Sequence, residues 1–205
     1  MLVVLGIIGV ITSVALTSQG AFNKSLILAN TAYDIALSLR SAETFGIGSR
    51  AAGPFDNTGY GLHFDRAAPG SFTLFADTHS PKGAADNCHP VADPGTPNAK
   101  PGNCVYDEAQ GERVADYAIG NRITISDFCA YVGGWSCATS NGSTLATLDI
   151  VFARPNPDPP YISMNGVYSA SITAACIAVS SPYGGSRFVS VTAAGAITAN
   201  AASCP

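Results

Sequence analysis

The sequence predicts an α+β protein, a long N-terminal helix leading into a sheet-rich head, and three observations predict it. The chain opens on sixteen uncharged residues, "MLVVLGIIGVITSVAL", and continues without a proline through Thr17–Ser49. Beyond Gly46 and Gly48 the pattern changes to short β-branched or alternating runs separated by Gly, Pro and Asn. All six cysteines lie in that second part, beyond the helix.

The apolar opening cannot stand in water cheaply, since each Å² of apolar surface left wet costs roughly 25 cal/mol. It lacks the basic start of a secretory signal peptide. Sixteen residues also fall about a turn short of the roughly 20 that cross a hydrocarbon core. A few further residues upstream are therefore expected. In the following helix two apolar stripes run at spacings of three and four. Phe22, Leu26, Ala29, Tyr33 and Ala36 form one; Leu28, Ala32, Ile35, Leu39 and Ala42 form the other. A helix lying on its own domain needs one stripe. The second points to another surface, most simply a neighbouring copy of the chain, or to a helix deeply embedded in its own head.

Gly46 and Gly48 fit a helix stop. The strands expected after it are Tyr60–Phe64, Ser71–Asp77, Arg113–Ile119, Arg122–Ser126, Thr147–Phe152, Ile172–Val179, Arg187–Thr192 and Ala196–Thr198. Between Thr78 and Gly111 the chain is too rich in Pro, Gly and Asn for regular structure. A connection of that length is functional or tied down. Three segments follow: an apolar helix over 1–20, the amphipathic half of the same helix over 21–49, and a head over 50–205.

Charged residues make up 12% of the chain, about half the usual share, against 47% hydrophobic. The net charge of −4 and ten scattered basic residues exclude nucleic acid as a main partner, because phosphate binding needs clustered Lys and Arg. The cysteines form no CxxC pair. Their even count and wide spacing favour three disulfides in an oxidising compartment over metal ligation. Fifteen connectivities are open to six cysteines. The simplest joins neighbours: Cys88–Cys104, Cys129–Cys137 and Cys176–Cys204.

No constellation in the head carries catalysis, and no enzyme is expected. His79 and His89 share the long loop with Asp77, Asp86 and Asp93 at irregular spacing, and His63 stands alone. Asp86, Asp93, Asp107 and Glu108 offer oxygen ligands for calcium, but without EF-hand spacing. Solvated loop acids are the plainer reading, so no metal or cofactor is assigned. There is no GxSxG elbow, no phosphate loop and no haem motif around Cys88–His89. "NGS" at Asn141–Ser143 is a glycosylation sequon. "RPNPDPP" at Arg154–Pro160 reads as a stiff turn.

"LVVLGIIGVITSVAL" resembles the N-terminal helix of type IV pilins and of the pseudopilins of type II secretion systems. "DIALSLRSAETFGI", "NTGYGLHFD", "SFTLFAD" and "LDIVFARPNPDPPYI" are similar to the branch containing minor pseudopilins and related pilins. The likeness implies a pilin fold, with the helix packed by its C-terminal half on an antiparallel, β-rich head. It implies a prepilin leader cut by a prepilin peptidase, a methylated N-terminus, residence in the inner membrane, and then assembly by the pilus machinery into an extracellular filament. Aligning Gly9 with the family's helix glycine leaves five residues upstream of Met1. Restoring them brings the apolar run to about 21, the length a bilayer needs. The aromatic first residue and the glutamate typical of that stretch are not in this sequence, nor is a helix-kinking proline near Thr17.

In such a filament the core is formed by Leu2, Val3, Leu5, Gly6, Ile7, Gly9, Val10, Ser13, Val14 and Leu16. Small Gly6, Gly9, Ser13 and Ala15 let helices approach closely. Phe22, Leu26, Leu28, Ala32, Tyr33, Ile35 and Leu39 pack helix on head or helix on helix. A head-to-tail contact of this kind does not close and yields a helical homopolymer. The functions implied are a pilus subunit for adhesion, motility or DNA uptake, or alternatively a pseudopilin of a secretion machine. A membrane-anchored binding module is a third reading.

Overall fold

The structure is a computed structural model that describes residues 2–48, 50, 52, 58–78, 88, 102–154, 160–201 and 203–204, leaving aside the side chains at 2, 14–22 and 200. Helix α1 runs from Leu2 to Ile47, 46 residues. No proline interrupts that stretch, and Gly6 and Gly9 each cost only about 1 kcal/mol of helix propensity relative to Ala. It ends in a turn, the Gly48 amide donating to the Thr44 carbonyl at 2.9 Å. Gly46 in the last turn lies against the backbone of Phe152, where a Cβ would collide with that residue's carbonyl.

The strands are β1 (Gly59–Asp65), β2 (Ser71–Asp77), β3 (Arg113–Ala118), β4 (Thr124–Tyr131), β5 (Trp135–Cys137), β6 (Thr147–Phe152), β7 (Tyr161–Met164), β8 (Val167–Tyr168), β9 (Ala174–Ser180), β10 (Ser186–Val191) and β11 (Ile197–Ala201). They form two antiparallel sheets. One has six strands in the order β3-β2-β1-β6-β7-β8, the other five in the order β11-β10-β9-β4-β5.

The α+β expectation, a long helix laid by its C-terminal half on a sheet-rich head, is corrected here. Among the described residues the chain is mostly β, with eleven strands in two large sheets and only two helices, α1 and a short 3-10 turn at Glu108–Gln110. The reason is apolar surface. Strand β9 is buried at five consecutive positions, Ala175–Val179, and β6 at five, Leu148–Phe152. Strands with both faces apolar need cover on both sides, which one helix cannot give.

One core joins the layers. Tyr60, Leu62 and Phe64 of β1 and Ile150 of β6 meet Phe128 of β4 and Ile177 of β9 there, together with Leu28, Ile35 and Leu39 of α1. The helix thus touches β1 and β6 of one sheet and β9, β10 and β11 of the other, along the line where they meet. Polar ties secure it to the second sheet: Arg40 donates to the Ile197 carbonyl at 3.1 Å, and the Lys24 ammonium sits 4.0 Å above the Tyr183 ring. The outer face of the six-stranded sheet carries a second cluster of Phe75, Val151, Cys88 and Cys104, flanked by Tyr106, Tyr161 and Tyr168.

The disulfides are Cys88–Cys104, Cys129–Cys137 and Cys176–Cys204. The second joins directly opposed residues of β4 and β5, and Cys176 is itself opposite Cys129 on β9. The third ties the C-terminal residues to the central strand of the smaller sheet.

Candidate functional site

From Leu2 to Asn23 the helix carries no charged residue. At 1.5 Å per residue these 22 positions make a rod about 33 Å long. Val3, Val4, Leu5, Ile7, Ile8, Val10 and Ile11 are all exposed, between 53% and 74%. Each such side chain is worth roughly 1.5–3 kcal/mol when fully buried, so seven of them at these exposures leave on the order of 10 kcal/mol of hydrophobic stabilisation unrealised. An apolar patch on this scale marks an interaction surface.

The helix makes few polar demands on whatever covers it. The Thr12 hydroxyl donates to the Ile8 carbonyl at 2.6 Å, and Thr31, Ser38, Ser41 and Thr44 each donate to the carbonyl four residues earlier. Back-bonded hydroxyls of this kind present their carbon side outward. Gly6 and Gly9 leave open notches, a Cβ at either meeting nothing within 4 Å.

Further along, the two stripes separate. Leu28, Ala32, Ile35, Leu39 and Ala42 are all buried in the core. Of the other stripe, Leu26 and Tyr33 are exposed, Ala29 is half-buried, and Ala36 turns inward. Leu37 is 64% exposed beside them. This outward face borders a groove of about 370 Å³ between α1 and the β3–β4 connection, lined by Ile35, Leu37, Phe72, Tyr117 and Ile119 with Asp34 at its edge. Leu2, Val14, Leu16 and Phe22 have side chains outside the described set, whereas Val3, Leu5, Gly6, Ile7, Gly9, Val10 and Ser13 lie along the exposed rod. Among the described residues no helix is long and apolar enough to cross a membrane.

The head holds a second concentration of chemistry, which the sequence did not announce. On the outer face of the six-stranded sheet, His63 of β1 stands directly opposite Asp149 of β6. Its Nδ1 is 2.6 Å from an Asp149 carboxylate oxygen, and Asp149 is fully buried. Burial pushes the Asp149 carboxyl up from the ordinary carboxylate range; the hydrogen bond and charge of His63 oppose that shift. The Tyr106 ring covers His63 at 4.7 Å. Among the described residues no hydroxyl or thiol bonds to His63.

Buried acids hold the segment that carries this cover. Asp77 accepts the amides of Asn103 and Cys104 at 3.0 and 2.9 Å, and Glu112 accepts those of Thr78 and Asp107 at 2.8 and 2.9 Å. Ser163 donates to the Cys104 carbonyl at 2.6 Å, and Cys104 itself is held at a φ of 57°. Of the acids read as calcium ligands, Asp107 accepts Asn103 Nδ2 at 2.8 Å and Glu108 pairs with Arg113 at 3.1 Å. Asp86, Asp93, His79 and His89 lie outside the described residues. Two carboxylate–cysteine groups, Asp77 with Cys88 and Cys104 and Asp127 with Cys129 and Cys137, are close enough to ligate. Their sulfurs are tied up in disulfides and cannot serve as thiolates.

Asn141 lies exposed on the turn after β5, within the sequon. No protein-family model, curated protein or solved structure matches the chain.

Proposed function

We propose that this chain is a structural subunit, a type IV pilin-like protein that polymerises through its apolar helix into an extracellular filament. The observation that supports this best is the uncharged rod, with seven large aliphatic side chains exposed between Val3 and Ile11 on a helix whose other half is built into the head. Such a surface needs a permanent apolar host. Equivalent rods of other copies supply one, with Gly6 and Gly9 as the points of close approach. The resemblance of the same residues to pilin helices points to the same use, with an inner membrane as host before assembly. The outward stripe of Leu26, Tyr33 and Leu37 extends the contact from the rod to the neighbours' heads.

The contact joins different surfaces of successive copies and so propagates as a helix. The head is the durable outer part. Its three disulfides close loops spanning 8, 16 and 28 residues, which suits an oxidising exterior. Adhesion, motility and DNA uptake are all served by such a fibre.

The test is Gly9→Arg. In the isolated subunit a side chain there meets nothing, so the head folds as before. In a bundle of rods it places a charge in apolar contact, at a cost of several kcal/mol per subunit. We expect no filaments from this variant. Normal filament yield refutes the proposal.

A further inference from the structure

The sequence contains two Asn-Gly pairs, Asn141–Gly142 and Asn165–Gly166, both in turns. Asparagine followed by glycine is the pair most prone to spontaneous loss of the side-chain amide. The unhindered glycine nitrogen attacks the carboxamide carbon when backbone and side chain are free to bring them together. The two pairs differ sharply in that freedom.

Asn165 is clamped. Its Oδ1 accepts the amides of Ala146 and Thr147 at 2.7 and 3.3 Å, and its Nδ2 donates to the Thr144 carbonyl at 3.0 Å. Its backbone is also fixed, with φ of 51° and its amide bonded to the Thr147 carbonyl at 3.0 Å in the β7–β8 hairpin. Asn141 is free. It is exposed, and among the described residues neither its carboxamide nor the Gly142 amide has a hydrogen-bond partner. Gly142 lies at φ +77° with open space around it. Only the turn bond from the Ser143 amide to the Ser140 carbonyl, 2.9 Å, spans the site.

We propose that Asn141 is a site of spontaneous deamidation and that Asn165 is protected from it by its three hydrogen bonds. The deprotonated Gly142 nitrogen forms a bond to Asn141 Cγ, and the Cγ–Nδ2 bond breaks. The Gly142 proton passes to hydroxide, and Nδ2 leaves as ammonia after taking a proton from water. Water then opens the resulting succinimide. Cleavage at Cγ gives aspartate, whereas cleavage at the main-chain carbonyl gives isoaspartate. The net reaction consumes one water and releases one ammonia, so solvent is the only co-reactant. Each event adds one negative charge to a chain of net charge −4. The isoaspartate product lengthens the backbone by one carbon and breaks the Ser140–Ser143 turn. In a durable surface polymer this charge accumulates with age.

The test is peptide mapping by mass spectrometry of the intact, disulfide-bonded chain after weeks at mildly alkaline pH, with Asn141→Gln as the control. We expect the peptide holding Asn141 to deamidate at least about tenfold faster than the one holding Asn165, since three neutral hydrogen bonds must break at the latter. Asn141→Gln abolishes the change at 141 and leaves 165 as it was. In the reduced, unfolded chain the two sites convert at similar rates. Equal rates in the folded chain, faster loss at Asn165, a persistently protected Asn165 after unfolding, or a glycan occupying Asn141 each overturn the proposal.

Discussion

Leu37 and Leu39 lie two positions apart on α1, and they separate its inward face from its outward one. Leu39 is 0% exposed within the shared core of both sheets, while Leu37 is 64% exposed beside the groove. Leu39→Ala removes buried methyl groups and leaves a cavity where the helix meets the strands, at a cost of about 3–4 kcal/mol. For a chain of this size each kcal/mol shifts Tm by about 2–4 °C, so Leu39→Ala lowers Tm by roughly 6–16 °C. Leu37→Ala removes a wet side chain and replaces it with a better helix former, so stability changes by less than about 0.5 kcal/mol. Thermal unfolding of the detergent-solubilised full chain, followed by circular dichroism, measures both. Filament yield then reverses the emphasis: Leu37→Ala, stable as a subunit, reduces assembly. Equal Tm losses, or unimpaired assembly by Leu37→Ala, refute the division of the helix into a head-facing and a neighbour-facing stripe.

Three further outcomes are expected. Gly46→Ala, an improvement in an ordinary helix, here forces a methyl into the Phe152 carbonyl and destabilises by about 1–3 kcal/mol, measurable by urea denaturation; a gain in stability contradicts the close approach of α1 to β6. Replacing both Cys176 and Cys204 by Ala costs roughly 3.5 kcal/mol and replacing both Cys129 and Cys137 roughly 2.5 kcal/mol, in the order of their 28- and 8-residue spans, and the reverse order in calorimetry refutes the chain-entropy account. Because burial raises the Asp149 carboxyl above its unfolded value of 3.8, its contribution to stability is full below pH 3.8 and is lost as pH rises through the folded value. Asp149→Asn, which keeps an oxygen for His63, removes this titration, so the stability of the variant relative to the parent rises as pH goes from 3.8 toward neutrality; a difference that falls or stays constant with rising pH contradicts this.

What the sequence made legible was local. The spacing of Leu28, Ala32, Ile35 and Leu39 is a helical face whether or not the partner is known, and β2 and β6 occupy the ranges that β-branched and aromatic runs mark out. The strands Trp135–Cys137, Tyr161–Met164 and Val167–Tyr168 escaped because two to four residues carry no periodicity. The division into two sheets escaped for a different reason. It depends on pairings such as β1 with β6 and β4 with β9, across dozens of residues, and alternation within a strand does not name its neighbour. The same holds for His63, whose relation to Asp149 is a cross-strand register 86 residues apart. An isolated histidine in a strand pattern carries no trace of the buried carboxylate opposite it. The contrast between Asn141 and Asn165 was likewise invisible, since the partners that clamp Asn165, Thr144, Ala146 and Thr147, are about twenty residues away in sequence.

In the filament proposed above, the apolar rod is covered by copies of itself. Photo-cross-linking tests it directly, with Val10, 65% exposed on the rod, replaced by a photoreactive amino acid and irradiated in the assembled material. Covalent dimers joining residue 10 of one copy to the apolar helix of another are expected in assembled material and not in the detergent-dispersed subunit. A rod that stays uncross-linked in the assembled state, or that links only to other proteins, contradicts it.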